Sequence, residues 1–137
     1  MKPSITAQLY QAAKQAQDKA YAPYSHFRVG AAILDNNQQI TAGCNVENAA
    51  YPIGCCAEQA AVAHMIMSGG QAIDHILIVG GDGQPCPPCG ACRQIIFEHG
   101  HMETMVYLEQ PDNQGNFTAR PIKELLPDAF DHSQLAK

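Results

Sequence analysis

Two stretches of the chain place thiols where they could act together. "PCPPCGACRQ" contains two overlapping C-x-x-C spacings, Cys86 with Cys89 and Cys89 with Cys92. The second can close into a chelating turn, because Gly90 and Ala91 permit a tight entry into a helix. Between Cys86 and Cys89, Pro87 and Pro88 supply no N–H and favour extended chain. The other stretch, "YPIGCCAEQAAVAHMI", starts as a loop and continues as a helix, so a helix opening near Cys55 or Cys56 offers a third thiol. At helix N-termini the unsatisfied N–H groups favour thiolate over thiol. Three thiolates with one position left open form a catalytic rather than a structural zinc site, and the open position would make water a stronger acid. Glu58, two residues beyond Cys56, supplies the proton acceptor such chemistry needs. Each feature has a plainer reading alone: a C-x-x-C also serves redox chemistry, and a glutamate in a first turn complements the helix dipole. Their conjunction, each opening a helix with a strand between, favours metal-assisted chemistry. Cys44, Cys55 and Cys86 read as small buried hydrophobes.

Such a site needs two helix starts aimed at one point from one side of a sheet. From Pro3 to Ala20, apolar residues at Ile5, Leu9, Ala12, Ala13, Ala16 and Ala20 recur at helical spacing. "FRVGAAIL" and "QQITAGCNV" flank the turn "DNNQ" and predict a hairpin. The "CCAEQ" helix stops at "SGG", "HILIVGG" reads as a buried strand, and "PCPPCGACRQIIFEHG" as a loop entering another helix. "METMVYLEQ" predicts a strand, with a short strand near "GNFTAR" and a short helix at "IKELLP". The alternation predicts an α/β fold, a three-layer α/β/α sandwich around a mixed sheet of about five strands. At 137 residues and 46% hydrophobic side chains, a single domain over residues 1–137 is expected.

Composition narrows the partners. The apolar runs fall short of the roughly 20 residues of a membrane-spanning helix. The N-terminal stretch lacks the uninterrupted apolar core of a secretory signal, so a cytoplasmic location is expected. In that reducing compartment six cysteines indicate metal or catalysis more than disulfides. Net charge is −5 and the eight Lys and Arg residues are scattered, which argues against a nucleic acid partner.

The motifs "YAPYSHFRVGAAIL", "GCNVENAAY", "CCAEQAA", "PCGACRQII" and "ELLPDAF" cover nearly the whole chain, and it resembles the cytidine deaminases in their small homotetrameric branch. The resemblance implies one zinc ion per chain held by Cys56, Cys89 and Cys92, with Glu58 moving protons. It further implies that Asn45 and Glu47 hold the ribose hydroxyls, that Phe27 and Tyr51 line the pocket, and that the Ala57 backbone faces the pyrimidine. Phe130 would reach the site of a neighbouring subunit. The implied reaction is hydrolytic deamination of cytidine and deoxycytidine to uridine and deoxyuridine with release of ammonia, a step of pyrimidine salvage. One departure stands out. Relatives with three cysteines usually carry an arginine after the glutamate, whereas this chain has Gln59. Three thiolates on Zn²⁺ leave a net negative cluster, for which helix N-termini and Arg93 are the remaining compensators, with Arg93 expected to carry most of it. Two rival enzymes and one non-enzyme remain open at this stage. A deaminase of a cytosine-bearing antibiotic would share the zinc site, a cytidylate deaminase would need a phosphate site, and a structural zinc module would not need Glu58.

Overall fold

Ser4 is extended and its hydroxyl accepts the Ala7 N–H at 3.2 Å, which starts the first helix, α1 (Ile5–Gln17). The computed structural model describes residues 4–110 and 116–135. Pro3, where that helix was expected to begin, and Gly115 of "GNFTAR" lie outside the described residues. Leu9, Ala13 and Gln17 form the buried stripe of α1. β1 (Val29–Asp35) and β2 (Ile40–Cys44) follow as the expected antiparallel hairpin. Its turn is held by Asp35, whose Oδ1 accepts the N–H groups of Asn37 at 2.8 Å and Gln39 at 3.0 Å. Helix α2 (Ala57–Met67) ends at Ser68, after which Gly69 takes φ +93. Strand β3 (Ile73–Gly80), helix α3 (Gly90–Glu98), strands β4 (Met105–Glu109) and β5 (Phe117–Pro121) and the short helix α4 (Ile122–Leu125) complete the order.

The five strands form one sheet in the order β2-β1-β3-β4-β5. β3 and β4 run parallel, and the other neighbouring pairs are antiparallel. The parallel pair requires a crossover, and α3 is that crossover. Among the described residues, helix α1 covers one face, with Leu9 and Ala13 packed on Ala32, Leu34, Leu77 and Val79. On the other face α2 and α3 set Ala61, Val62, Met65 and Ile96 over Ala31, Ile33, Ile76, Ile78 and Val106. The layers are those of the expected α/β/α sandwich. Central β1 is buried on both faces, which explains its unbroken apolar run. Among the described residues, no helix is long and apolar enough to cross a membrane.

Register decides where function can collect. Val29 opens β1 opposite Gly80, the last residue of β3, while Gly30 pairs with Cys44, the last residue of β2. The segments carrying Phe27, Asn45 and Cys86 therefore leave the sheet at one edge, at the carboxyl ends of β2 and β3. Buried Gln17 locks this edge from α1, donating from Nε2 to the carbonyls of Arg28 at 3.1 Å and Gly81 at 3.2 Å. Glycine brings α2 close to it: a Cβ on Gly43 would stand 2.3 Å from the Ala61 amide nitrogen.

Candidate active site

Cysteine occupies the N-cap of both helices that reach this edge. Cys56 (φ −75, ψ 157) caps α2 and Cys89 (φ −67, ψ 170) caps α3. Cys92 follows in the first turn of α3 and is buried. The sulfurs of Cys56, Cys89 and Cys92 all lie within 4.8 Å of one another. Zinc bonds of ~2.3 Å at tetrahedral angles separate sulfurs by ~3.8 Å, so closure on an ion requires a shift of about 1 Å at most. Three soft thiols suit zinc, and the set fits it. Of the two overlapping C-x-x-C pairs, the structure brings Cys89 and Cys92 together with Cys56. Cys86 instead packs against the main core, filling the space above Gly80, where a Cβ would stand 2.6 Å from its sulfur. Cys44 and Cys55 are half-buried and outside the trio.

The thiols differ in their readiness to ionise. Cys89 is held below the ordinary thiol value, first by the Cys92 N–H and also by that of Ala91. Burial pushes Cys56 and Cys92 up, and the neighbouring Glu58 carboxylate adds to both. Burial likewise pushes Cys86 up to about 11. A dication at the trio would pull its thiols down. Glu58 sits in the first turn of α2, 5% exposed. Burial raises its carboxyl above the ordinary value, while its own N–H and the Cys92 thiol oppose that rise by hydrogen bonding. A carboxyl so placed can take up and release a proton beside the trio. Ala57, the first residue of the helix, is buried, and its N–H is one of the donors left without an intrahelical partner.

Single-residue bridges tie the remaining candidates to this centre. Val46 pairs with Cys55 on one side and Tyr21 on the other, which joins the "CNVEN" segment to the chain entering α2. The Glu47 carboxylate accepts the N–H groups of Tyr24 at 3.0 Å and Ser25 at 3.1 Å and the Ser25 hydroxyl. The Ser25 hydroxyl and N–H hold its pKa below the ordinary carboxylate value. Asn45 accepts the Val29 N–H at 2.9 Å and donates to the Phe27 carbonyl at 2.8 Å. Both residues thus shape the Tyr24–Val29 segment. They also retain capacity for a ligand, since a carboxylate offers about four acceptor positions and an amide two donors.

A cavity of about 350 Å³ is lined by Tyr24, Ser25, Glu47, Asn48, Tyr51 and Gly54. Glu47 and Tyr51 meet there, with the Tyr51 ring edge-on to Tyr24 at 6.0 Å. Phe27 does not line it. Its ring lies against Gly80 and Gly81 and borders a second, open groove with His26, Arg28 and Asp82. Gln59 is exposed. Arg93 donates from Nε to the Pro88 carbonyl at 2.8 Å and from Nη1 to that of Leu125 at 2.9 Å. Its hydrogen bonds therefore hold the loop carrying Cys89 and reach α4. Phe130 is 57% exposed, and its carbonyl accepts from Gln94 Nε2 at 2.8 Å.

Ser25 and Gln94 went unremarked in the sequence. Ser25 acts through a left-handed His26 (φ +59) that turns the Phe27 N–H back onto its hydroxyl at 3.0 Å. No periodic signal announces that geometry. Gln94 adjoins the recognised motif residue Arg93, but its partner lies 36 residues away.

The family described as "Cytidine and deoxycytidylate deaminase zinc-binding region" matches residues 3–109. The cytidine deaminase of Mycobacterium tuberculosis (strain ATCC 25618 / H37Rv) is 40% identical over 125 residues, covering 91% of this chain and 89% of that protein. That of Halalkalibacterium halodurans is 41% identical over 122 residues, covering 89% and 91%. A crystal structure of cytidine deaminase from Burkholderia pseudomallei aligns with a TM-score of 0.82 and 43% identity, covering 90% of this chain and 98% of that one. A thiol trio at two helix caps, a buried glutamate beside it and these matches agree: the chain belongs to the cytidine and deoxycytidylate deaminase family.

Proposed function

We propose that this chain converts cytidine and deoxycytidine to uridine and deoxyuridine by hydrolysis, releasing ammonia. The observation that carries the reading is the buried Glu58 carboxyl in the first turn of the helix that Cys56 caps, two residues from the thiol trio. Cys56, Cys89 and Cys92 would hold one zinc ion, which when bound would supply the Lewis acidity that makes water nucleophilic near neutral pH. Glu58 takes the proton released as water adds to C4 and delivers it to the ring. The proton of the new C4 hydroxyl then passes through Glu58 to the amino group, the C4–N4 bond breaks as the C4 carbonyl forms, and ammonia leaves. The helix N-termini of α2 and α3, aimed at the trio, offset part of its negative charge.

Substrate placement rests on the hydrogen-bonding capacity that Glu47 and Asn45 retain and on the Tyr51 wall of the cavity. Glu47 accepts from one sugar hydroxyl and Asn45 pairs with the other, while the Tyr51 ring forms a wall. Phe27 braces the edge from its side, and the Ala57 backbone faces the pyrimidine. A single domain, a cytoplasmic location and a free nucleoside rather than a polynucleotide substrate belong to the same reading. So does a homotetramer in which Phe130 completes a neighbour's site.

The direct test is incubation of zinc-loaded protein with cytidine, following uridine and ammonia. Glu58→Gln should keep the fold and the zinc yet lose at least about 10²–10⁴-fold in kcat, the usual worth of general acid–base transfer. Near-normal turnover in a zinc-loaded Glu58→Gln protein would remove Glu58 from the mechanism, and no uridine from the zinc-loaded wild type would leave the site a structural zinc module.

A further inference from the structure

We infer that Gln94 is a positioning residue that sets Phe130 for its place in the active site. The inference rests on the proposed role of Phe130 and adds to it a residue and a mechanism.

The tail between α4 and Phe130 is fastened at two points by consecutive residues of α3. Arg93 donates to the Leu125 carbonyl at 2.9 Å, and Gln94 donates to the Phe130 carbonyl at 2.8 Å. Between these anchors Asp128 takes a left-handed conformation, φ +52, which is uncommon for a residue with a side chain and reverses the chain locally. Immediately beyond Phe130, Asp131 caps a short 3-10 turn at His132–Gln134 through a capping box. The aromatic residue therefore stands where a clamped loop meets a capped turn. Its carbonyl is held while the residue stays 57% exposed.

That combination suits a ring that must be presented to something outside its own chain. An exposed phenylalanine on a loose tail would lose conformational freedom on binding, which weakens the contact. Holding its carbonyl removes part of that loss beforehand. The anchor also sits two residues past Cys92, on the helix whose N-terminus carries two thiols of the trio. A displacement of α3 is thus transmitted to both the thiols and the tail.

The test compares variants in the zinc-loaded enzyme. Gln94→Glu keeps the shape but sets a carboxylate against a carbonyl, and should raise KM for cytidine about five- to tenfold, the worth of one hydrogen bond. Zinc content should stay at one per chain and kcat within about twofold, because neither the trio nor Glu58 is touched. Gln94→Lys, which restores a donor on a similar stem, should recover the wild-type KM. In a Phe130→Ala background, Gln94→Glu should add nothing to KM. A wild-type KM in Gln94→Glu would overturn the inference, as would full additivity of the two changes or a loss of zinc that accounts for the defect. A wild-type KM in Phe130→Ala would remove both the inference and the proposed role of Phe130 while leaving the deamination reading intact.

Discussion

Each cysteine occupies a different environment, and a substitution at each should report it. Cys92 is 1% exposed and within the trio, whereas Cys86 lines the core above Gly80. Cys92→Ser should lose zinc. Cys86→Ser should retain it and cost about 1–3 kcal/mol, since a hydroxyl replaces a thiol in apolar surroundings. Zinc analysis with urea denaturation checks both, and zinc loss from Cys86→Ser alone would reassign the pair. Arg93 poses a finer question, because its fork lies on two carbonyls. If that fork matters by holding the loop, Arg93→Lys should fare no better than Arg93→Ala, since an ammonium cannot reproduce two directed bonds. We expect both to release zinc about tenfold faster, ~1.4 kcal/mol. Recovery by lysine would show that charge alone compensates the thiolates, and wild-type rates in both would mean that the helix termini suffice. The thiol trio was legible in the sequence because caps and C-x-x-C turns are local. The Arg93 contact was not, because Leu125 lies 32 residues further along.

Elements position the site by how closely they approach the sheet. Gly43→Ala would drive a methyl group to 2.3 Å from the Ala61 amide, and α2 must then lift away, taking Cys56 and Glu58 with it. Loss of about 1–3 kcal/mol with weakened zinc retention is the expected outcome, and wild-type stability would show that α2 has slack. On the opposite face α1 is tied to β4 by the Tyr10 hydroxyl, which donates to Glu109 Oε2 at 2.7 Å. That hydrogen bond, helped by burial, pushes the Tyr10 phenol up to about 12 from 10.0. A raised pKa favours the neutral phenol in the folded state, so its contribution is complete below pH 10 and is lost as pH rises through about 12. Tyr10→Phe should cost about 1 kcal/mol at pH 8, reduced by the partial exposure of the ring. The gap to wild type should close over the alkaline range. Denaturation curves from pH 8 to 12 that stay equally spaced would refute the linkage. The elements themselves were readable from periodicity, but the Tyr21–Val46–Cys55 bridges were not. Each involves one residue per segment, which leaves no repeating pattern to read.

At the scale of the whole molecule, one chain leaves much of its candidate site open to solvent. Tyr51 is 74% exposed and Ile53 69%, and Phe130, the ring expected to stack on substrate, points outward. A nucleoside held by this chain alone would keep much of its surface wet, and the proposed tetramer would supply the closure. Sedimentation should give a tetramer, and a fully active monomer would end the proposal. Subunit mixing is the sharper test. A Phe130→Ala chain retains Glu58 but lacks the stacking ring, and a Glu58→Gln chain has the ring but no proton carrier. If each ring serves a neighbour, a co-expressed hybrid places intact rings beside intact glutamates that neither parent enzyme combines. With equal amounts and random assortment, half the sites keep Glu58 and half of those receive a ring, so roughly a quarter of all sites should regain the wild-type KM. Hybrids purified through two tags should show that low-KM component over the sum of the parents. Activity equal to that sum would place Phe130 in its own chain's site.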